Sequence, residues 1–215
     1  MADPYSPSVG VVDYDPRWPL LFAAEKTRIL SALTPLQVNV EHVGSTAVPG
    51  LAAKPVIDIL LGLRMAELTD VRLDALRLIG YGYVRARRGR LCLYRGRPRS
   101  HFVHVVETGG SDWQEKLLFR DYLRAHPQNA RRYGDLKRAL TIDGSRGAKY
   151  AIGKRAVIAE LMGQARRWNR VRANGSAGFL EIDNDPNREA ATLAPPVPGE
   201  ALVHESRNEG GRYHG

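Results

Sequence analysis

The stretch from Val38 to Leu63 constrains the fold most, because it joins two strand patterns through a glycine turn. Residues 38–43 alternate weakly between apolar and polar side chains and end at Gly44-Ser45. Residues 56–63 form an apolar run that is β-branched at its start, which is more typical of a buried strand than of a helix. Because Pro55 stops any helical turn before this run, we predict a strand, a turn and a second strand.

Asp58 interrupts the second strand pattern, and a carboxylate buried there is costly unless it has a partner. It is either a structural ion pair or a ligand-facing acid at the end of a strand. Gly44 permits close approach of the backbone, and N–H groups exposed in such a turn bind phosphate. Ser45 and Thr46 add hydroxyl groups, and Lys54 adds a positive charge. These residues are therefore predicted to bind an anionic ligand.

Five segments of the chain share motifs with one family of proteins. They are EHVGSTAVPGLAAKPVIDI (41–59), VDYDPRWPLLF (12–22), HFVHVVE (101–107), LFRDYLRAHP (118–127) and KYAIGK (149–154). Together they resemble the GrpB family, a largely uncharacterised family with a nucleotidyltransferase-like fold, over about residues 10 to 165. The resemblance implies an α+β fold with a mixed sheet of the α/β type, followed by a C-terminal helical segment.

The resemblance also implies roles for single residues. In nucleotidyltransferases a Gly-Ser turn holds the triphosphate, while carboxylates on neighbouring strands hold a divalent metal. By this likeness Asp58 is the catalytic and metal-binding residue, Mg²⁺ is the implied cofactor, and Arg120 faces the anionic pocket. Position 60 shares a strand face with position 58 but carries Leu60 in place of a second acid. Two functions stay open. The first is a nucleotidyltransferase with an unknown acceptor. The second is a non-catalytic accessory domain, a role suggested by family members that resemble a domain fused to dephospho-coenzyme A kinase.

Two histidines in strand patterns are further ligand-binding candidates, namely His42 and His104. Next to Asp58, His104 would form a carboxylate–histidine pair that holds a proton or orients a ligand. The alternative is that each is a structural histidine, since this residue is readily buried with a partner. His101 and His104 point to opposite faces of a regular strand, so they cannot share one metal ion.

The formal net charge of +9 favours anionic partners, although a generally basic proteome would explain it equally well. Between residues 85 and 99 the positive charge is concentrated in seven arginines, Arg85, Arg87, Arg88, Arg90, Arg95, Arg97 and Arg99. This cluster is interpreted either as a surface for RNA or another polyanion, or as an ordinary solvated surface.

The remaining periodic patterns predict helices at residues 20–33, 64–80, 112–125, 127–140 and 149–166, and strands at 81–85, 90–94 and 102–107. Residues 1–10 are expected to be a flexible terminus, and 11–168 a single domain. Residues 169–215 are rich in Gly, Asn, Pro, Arg and Glu and are predicted to form a disordered tail.

One cysteine, Cys92, excludes a disulfide framework or a cysteine-based zinc site within this chain. Its apolar neighbours predict a buried, inert thiol. The first ten residues lack the pattern of a signal peptide, and no apolar run is long enough to span a membrane. We therefore expect a cytoplasmic protein without a membrane partner.

Overall fold

The structure, a computed structural model of the 215-residue chain, describes residues 10–84, 91–142 and 147–181. The chain divides into two compact units, Met1–Asn174 and Gly175–Gly215, and the sheet and the candidate site belong to the first. Within the part of the chain that the structure describes, no helix combines the length and apolar character needed to cross a bilayer.

The described elements follow the order expected from the sequence, with helices flanking a group of strands. They are α1 Trp18–Leu33, β1 Asn39–Val43, β2 Ile57–Leu63, α2 Asp70–Leu78, β3 Gly82–Val84, β4 Leu91–Arg95, β5 His101–Glu107, α3 Ser111–Ala125, α4 Pro127–Ile142, α5 Gly147–Gly153 and α6 Arg155–Glu181. Short 3-10 turns occupy Ser45–Ala47 and Met65–Glu67.

The predicted helix over residues 64–80 is shorter in the structure and begins at Asp70. Thr69 precedes it with an extended backbone (φ −94°, ψ 165°), so the apolar residues before it belong to a 3-10 turn. Thr69 followed by an acidic first residue is a common helix start, and it overrides the weaker apolar periodicity upstream.

The five strands form one mixed sheet in the order β1-β2-β5-β4-β3. Strands β2 and β5 run parallel, and the other neighbouring pairs run antiparallel. The α+β fold with a mixed sheet, expected from the family resemblance, is therefore confirmed. The register places Val43, Asp58 and Phe102 side by side in one row across β1, β2 and β5.

The two faces of the sheet pack against different helices because side chains alternate along each strand. Ile57, Ile59 and Leu61 of β2 pack on one face with α1 and α2. Leu60 points to the opposite face, where it packs with Trp113 of α3. We call this second face the α3 face. Asp58 lies on it because positions 58 and 60 point the same way.

Helix α6 extends to Glu181, so residues 169–181 are helical and not part of a disordered tail as predicted. Residues 167–173 are mostly good helix formers. The tail was predicted from the average composition of residues 169–215, which does not reveal such a short helical stretch. Trp168 also packs edge-on against Tyr122 of α3, with 5.9 Å between ring centroids. Residues 1–9 and 182–215, which include most of the predicted flexible ends, lie outside the described residues.

Candidate functional site

The turn after β1 brings the backbone of Gly44 directly against the side chain of Asp58. Gly44 has φ +72°, a conformation that favours glycine. A Cβ added at Gly44 would lie 2.8 Å from the Asp58 Cβ and closer still to its Oδ2 atom. Gly44 is exposed and Ser45 is half-buried, so both are accessible beside the carboxylate. The predicted association of the turn with Asp58 is thus present in the fold.

Asp58 forms the predicted pair with His104. His104 Nε2 lies 3.6 Å from Asp58 Oδ1, and the Asp58 side chain is 32% exposed. The acid is therefore not buried as the sequence pattern indicated; it opens to solvent at the α3 face. Cys92, predicted to be buried, is half-buried, and its Sγ lies 3.9 Å from His104 Nδ1. The exposure of the Asp58 side chain favours a ligand-facing carboxylate over a structural ion pair.

Three lysines lie over the rings of two tyrosines, Tyr133 and Tyr150, and we call them the lysine cluster: Lys54, Lys137 and Lys154. Lys54 precedes β2, Lys137 lies in α4, and Lys154 joins α5 to α6. The ammonium groups of Lys54 and Lys154 lie 4.1 and 4.4 Å from the centroid of the Tyr150 ring. They are therefore within about 8.5 Å of each other, the sum of those two distances.

Lys137 is the most deeply buried member of the cluster. It is 2% exposed, donates a hydrogen bond to the carbonyl of Ala52, and lies 4.6 Å above the ring of Tyr133. The pKa of Lys137 is lowered to about 7, mainly by burial and also by the positive charges of Lys154 and Arg138, while the Asp58 carboxylate opposes these effects. An ammonium in this position is costly unless an anion accompanies it.

The same electrostatics act on Lys154. Burial is the main cause that lowers its pKa, Lys54 adds to the effect, and Asp58 opposes it. Asp58 is thus a counter-charge to both Lys137 and Lys154. Of the neighbouring charges that act on Lys137 and Lys154, Asp58 is negative, whereas Lys54 and Arg138 are positive, and such a predominance of basic groups attracts anions.

His42 and Thr46, both predicted to bind ligand, are buried supports of the turn. They are 6% and 1% exposed, and His42 Nε2 lies 3.0 Å from Thr46 Oγ1. Thr46 also donates to the carbonyl of Val56, and the His42 ring stacks on Phe22 of α1 at 4.7 Å. Burial lowers the pKa of His42 to about 4. A neutral, enclosed imidazole fixes the shape of the turn but does not reach the solvent side.

Arg120, predicted from the family resemblance to face the anionic pocket, is engaged by two acids. Its Nη1 donates to Glu41 Oε2 at 2.7 Å and to the carbonyl of His42 at 3.1 Å, and its Nε donates to Asp121 Oδ1 at 2.7 Å. These bonds join α3 to β1, which disfavours a phosphate-binding role. Arg124, one turn further along α3, donates to the carbonyl of Ala47 and so also supports the turn.

The opposite face of the sheet holds a separate buried network around Glu25. Arg95 Nη2 lies 2.6 Å from Glu25 Oε2, Tyr81 donates to Glu25 Oε1 at 2.8 Å, and His101 lies beside Arg95. Arg95, assigned above to a basic surface, is therefore held by this ion pair. Residues 85–90 of that cluster lie outside the described residues, so nucleic-acid binding there stays a prediction.

Mg²⁺ is the cofactor that the family resemblance implies, and its ligands would be side chains near Asp58. Among residues 10–84, 91–142 and 147–181, no three His, Cys, Asp or Glu side chains group as metal ligands. Leu60, at the position where a second acid would share the face of Asp58, is fully buried. Mg²⁺ prefers oxygen ligands and uses one or two carboxylates together with substrate phosphates. The described side chains alone do not complete a magnesium site.

Sequence reasoning missed three residues that shape the site: Lys137, Lys154 and Tyr150. The KYAIGK segment resembles a family motif, but the resemblance gave no role to Tyr150 or to Lys154, the second of its two lysines. Lys137 lies among the charged residues of an amphipathic helix and was indistinguishable from a solvated lysine. For Lys154 and Tyr150 the available signal was the KYAIGK motif, which contains both residues.

The amino-acid sequence of the chain is similar to a family model and to several bacterial proteins. The family model described as GrpB protein matches residues 8–164. The UPF0157 protein YqkA of Bacillus subtilis is 35% identical over 185 residues, covering 83% of this chain and 54% of YqkA, so the chain spans about half of that relative. A UPF0157 protein of Pseudomonas aeruginosa is 41% identical over 166 residues, 73% of this chain and 67% of the relative.

Among solved structures, the conserved protein GrpB from Enterococcus faecalis is similar, with a TM-score of 0.66 and 34% identity. The match covers 74% of this chain and 99% of that one. Residues 8–164, which the family model matches, contain the whole sheet, the turn with Asp58, and all three members of the lysine cluster. With most of its length matched in sequence and in fold, the chain belongs to the GrpB protein family.

Proposed function

We propose that this protein binds a nucleotide or another phosphorylated small molecule on the α3 face, between the Gly44-Ser45 turn and the lysine cluster. The observation that carries the proposal is that Lys54 and Lys154, from separate parts of the chain, meet on the ring of Tyr150, while Lys137 is buried over Tyr133 and both Lys137 and Lys154 feel the charge of Asp58. Positive charge collected in this way, at the cost of burying an ammonium, has an anion as its natural partner.

A phosphorylated ligand suits this arrangement better than a simple carboxylate does. A phosphate group offers several charged oxygens, and hydrogen bonds between charged groups are about twice as strong as neutral ones. Two ammonium groups within about 8.5 Å of each other can contact different oxygens or successive phosphates. The turn adds the Ser45 hydroxyl and a backbone that approaches closely because Gly44 has no side chain.

Nucleotidyl transfer to an unknown acceptor is the catalytic form of this function. The Asp58–His104 pair favours it, because such a pair can take a proton from an acceptor hydroxyl. Asp58 would then be the catalytic residue, and Mg²⁺, held by Asp58 and ligand phosphates, would supply charge stabilisation when bound.

A non-catalytic accessory domain is the second candidate, and Leu60 favours it. A buried leucine stands where a second carboxylate would hold metal in a nucleotidyltransferase. A domain of this kind would keep the phosphate-binding lysines but have no transfer chemistry.

The test is a thermal-shift screen of the four ribonucleoside triphosphates and inorganic tripolyphosphate, with MgCl₂ and with EDTA. A ligand at one hundred times its Kd stabilises by about 2.7 kcal/mol, which is a rise of roughly 5–10 °C in a protein of this size. Lys154→Met should reduce the rise, and Lys26→Met on α1 should not. If no compound shifts the wild-type melting temperature, the proposal fails. Turnover of a bound nucleotide separates the transferase from the accessory domain.

A further inference from the structure

We infer that the ammonium groups of the lysine cluster neutralise the phosphate ligand, so that its binding does not need a divalent cation. The inference rests on the proposed function and specifies how that site handles charge. According to this inference, Lys54, Lys137 and Lys154 supply the positive charge that a metal ion would otherwise supply. Asp58 is then a counter-charge that the ligand must displace, and not a metal ligand that the binding requires.

The carboxylates near the turn do not add up to a metal site. Asp58 and Leu60 share the α3 face, and Leu60 brings no oxygen donor. Glu41 lies in the same cross-strand row as Leu60, but its Oε2 is 2.7 Å from Arg120. The next acid along the sheet is therefore already neutralised by an arginine.

His104 does not supply the missing ligand. Its imidazole lies 3.6 Å from Asp58, but carboxylate, carbonyl and water oxygens suit Mg²⁺, whereas imidazole suits zinc, copper, iron and nickel. A histidine beside the carboxylate fits a proton-holding pair better than a magnesium ligand.

The surrounding charge opposes a cation and favours an anion. The Asp58 carboxylate acts on both Lys137 and Lys154, and Lys54 acts on Lys154, so these groups are electrostatically coupled. A divalent cation on Asp58 would be repelled by the positive charges of the cluster. A phosphate at the same place would be attracted by them and repelled by Asp58.

This difference gives opposite expectations for Asp58→Asn. If the lysines hold the phosphate directly, removing the Asp58 charge removes a repulsion and strengthens binding. The change expected for one like charge is on the order of tenfold, about 1.4 kcal/mol. If a metal ion bridges Asp58 and the ligand, the same substitution removes the metal's protein ligand and weakens or abolishes binding.

The experiment measures the Kd of inorganic tripolyphosphate by calorimetry, once with EDTA and once with excess MgCl₂. Wild-type protein should bind in EDTA with a Kd within about threefold of that in MgCl₂. In EDTA, Asp58→Asn should bind about tenfold more tightly, and Lys154→Met about tenfold more weakly. Lys26→Met removes a lysine from α1, on the other face of the sheet, and should leave the Kd unchanged. Circular dichroism checks that each variant is folded.

Binding that occurs only with MgCl₂, and that Asp58→Asn abolishes, would overturn the inference while leaving the proposed phosphate-binding function intact. A wild-type protein that binds tripolyphosphate in neither buffer would overturn both. Equal losses for Lys154→Met and Lys26→Met would show that net charge, and not the cluster, holds the ligand, and would also overturn the inference.

Discussion

Replacing Lys137 by methionine should stabilise the protein at neutral pH and weaken its binding of phosphate. Lys137 is 2% exposed, and burial lowers its pKa from 10.5 to about 7. Each unit of pKa corresponds to about 1.36 kcal/mol, so at pH 7 the buried ammonium costs the folded state about 5 kcal/mol. Methionine has a similar length and no charge, and it removes this cost.

The substitution also loses two favourable contacts of the lysine. The carbonyl of Ala52 loses its hydrogen bond from Nζ, which costs about 1–3 kcal/mol in a buried place. The ring of Tyr133 loses a cation at 4.6 Å, which costs about 1 kcal/mol. The expected result is a net gain of about 1–3 kcal/mol in the free energy of unfolding at pH 7.

The pH dependence gives the sharper expectation. Between pH 7 and 10.5 the unfolded chain binds a proton at Lys137 that the folded protein does not bind. The wild-type free energy of unfolding therefore rises with pH in this window, by about 1.4 kcal/mol per pH unit from this group. Below pH 7 both states bind the proton, and the contribution is constant. Methionine does not titrate, so the advantage of Lys137→Met should shrink by about 2–3 kcal/mol between pH 7 and 9.

Urea denaturation of both proteins at pH 7, 8 and 9, followed by tryptophan fluorescence, measures these differences. Lys26→Met serves as the control for removing a lysine elsewhere. A Lys137→Met protein that is less stable than wild type by the same amount at all three pH values would refute the reasoning, because Lys137 would then be a well-paired cation. A stabilised variant that binds tripolyphosphate as tightly as wild type would show that the buried charge does not serve the ligand.

Three further predictions concern other parts of the fold. Burial lowers the pKa of His42 and of His101 to about 4, so the unfolded chain takes up protons first as the pH falls. The free energy of unfolding should therefore drop between pH 6.5 and 4, by up to about 3 kcal/mol per histidine. Urea denaturation measures this drop, and His42→Gln should lessen it. Gly44→Ala places a Cβ at positive φ against Asp58 and should lower the free energy of unfolding by at least about 1–2 kcal/mol; a loss under about 0.5 kcal/mol would contradict the turn geometry. A chain that ends at Asn174, the boundary of the first compact unit, should melt within about 2 °C of the full chain, and a larger fall would assign the removed residues to the fold.

The local elements and the family can be read from the order of the residues. The apolar run at 56–63 became β2 almost as predicted, because a buried strand needs little beyond its own hydrophobic residues. Gly44 was identified from the sequence as a residue that permits close approach of the backbone, and in the structure it has a positive φ and lies against Asp58. The pairing of Asp58 with His104 also followed from strand alternation once β2 and β5 became neighbours.

The charged side chains that meet the turn became apparent only in the folded chain. Arg120 was predicted to face the anionic pocket, and Arg95 belonged to a cluster interpreted as either a polyanion surface or a solvated one; both pair with acids distant in sequence, Glu41 and Glu25. Lys137 was overlooked because a lysine in an amphipathic helix is usually solvated. Its burial depends on how α4 packs against the loop that contains Ala52. Hydrophobic periodicity fixes which face of an element is buried, but the environment of a charge depends on segments that contact it only after the chain has folded.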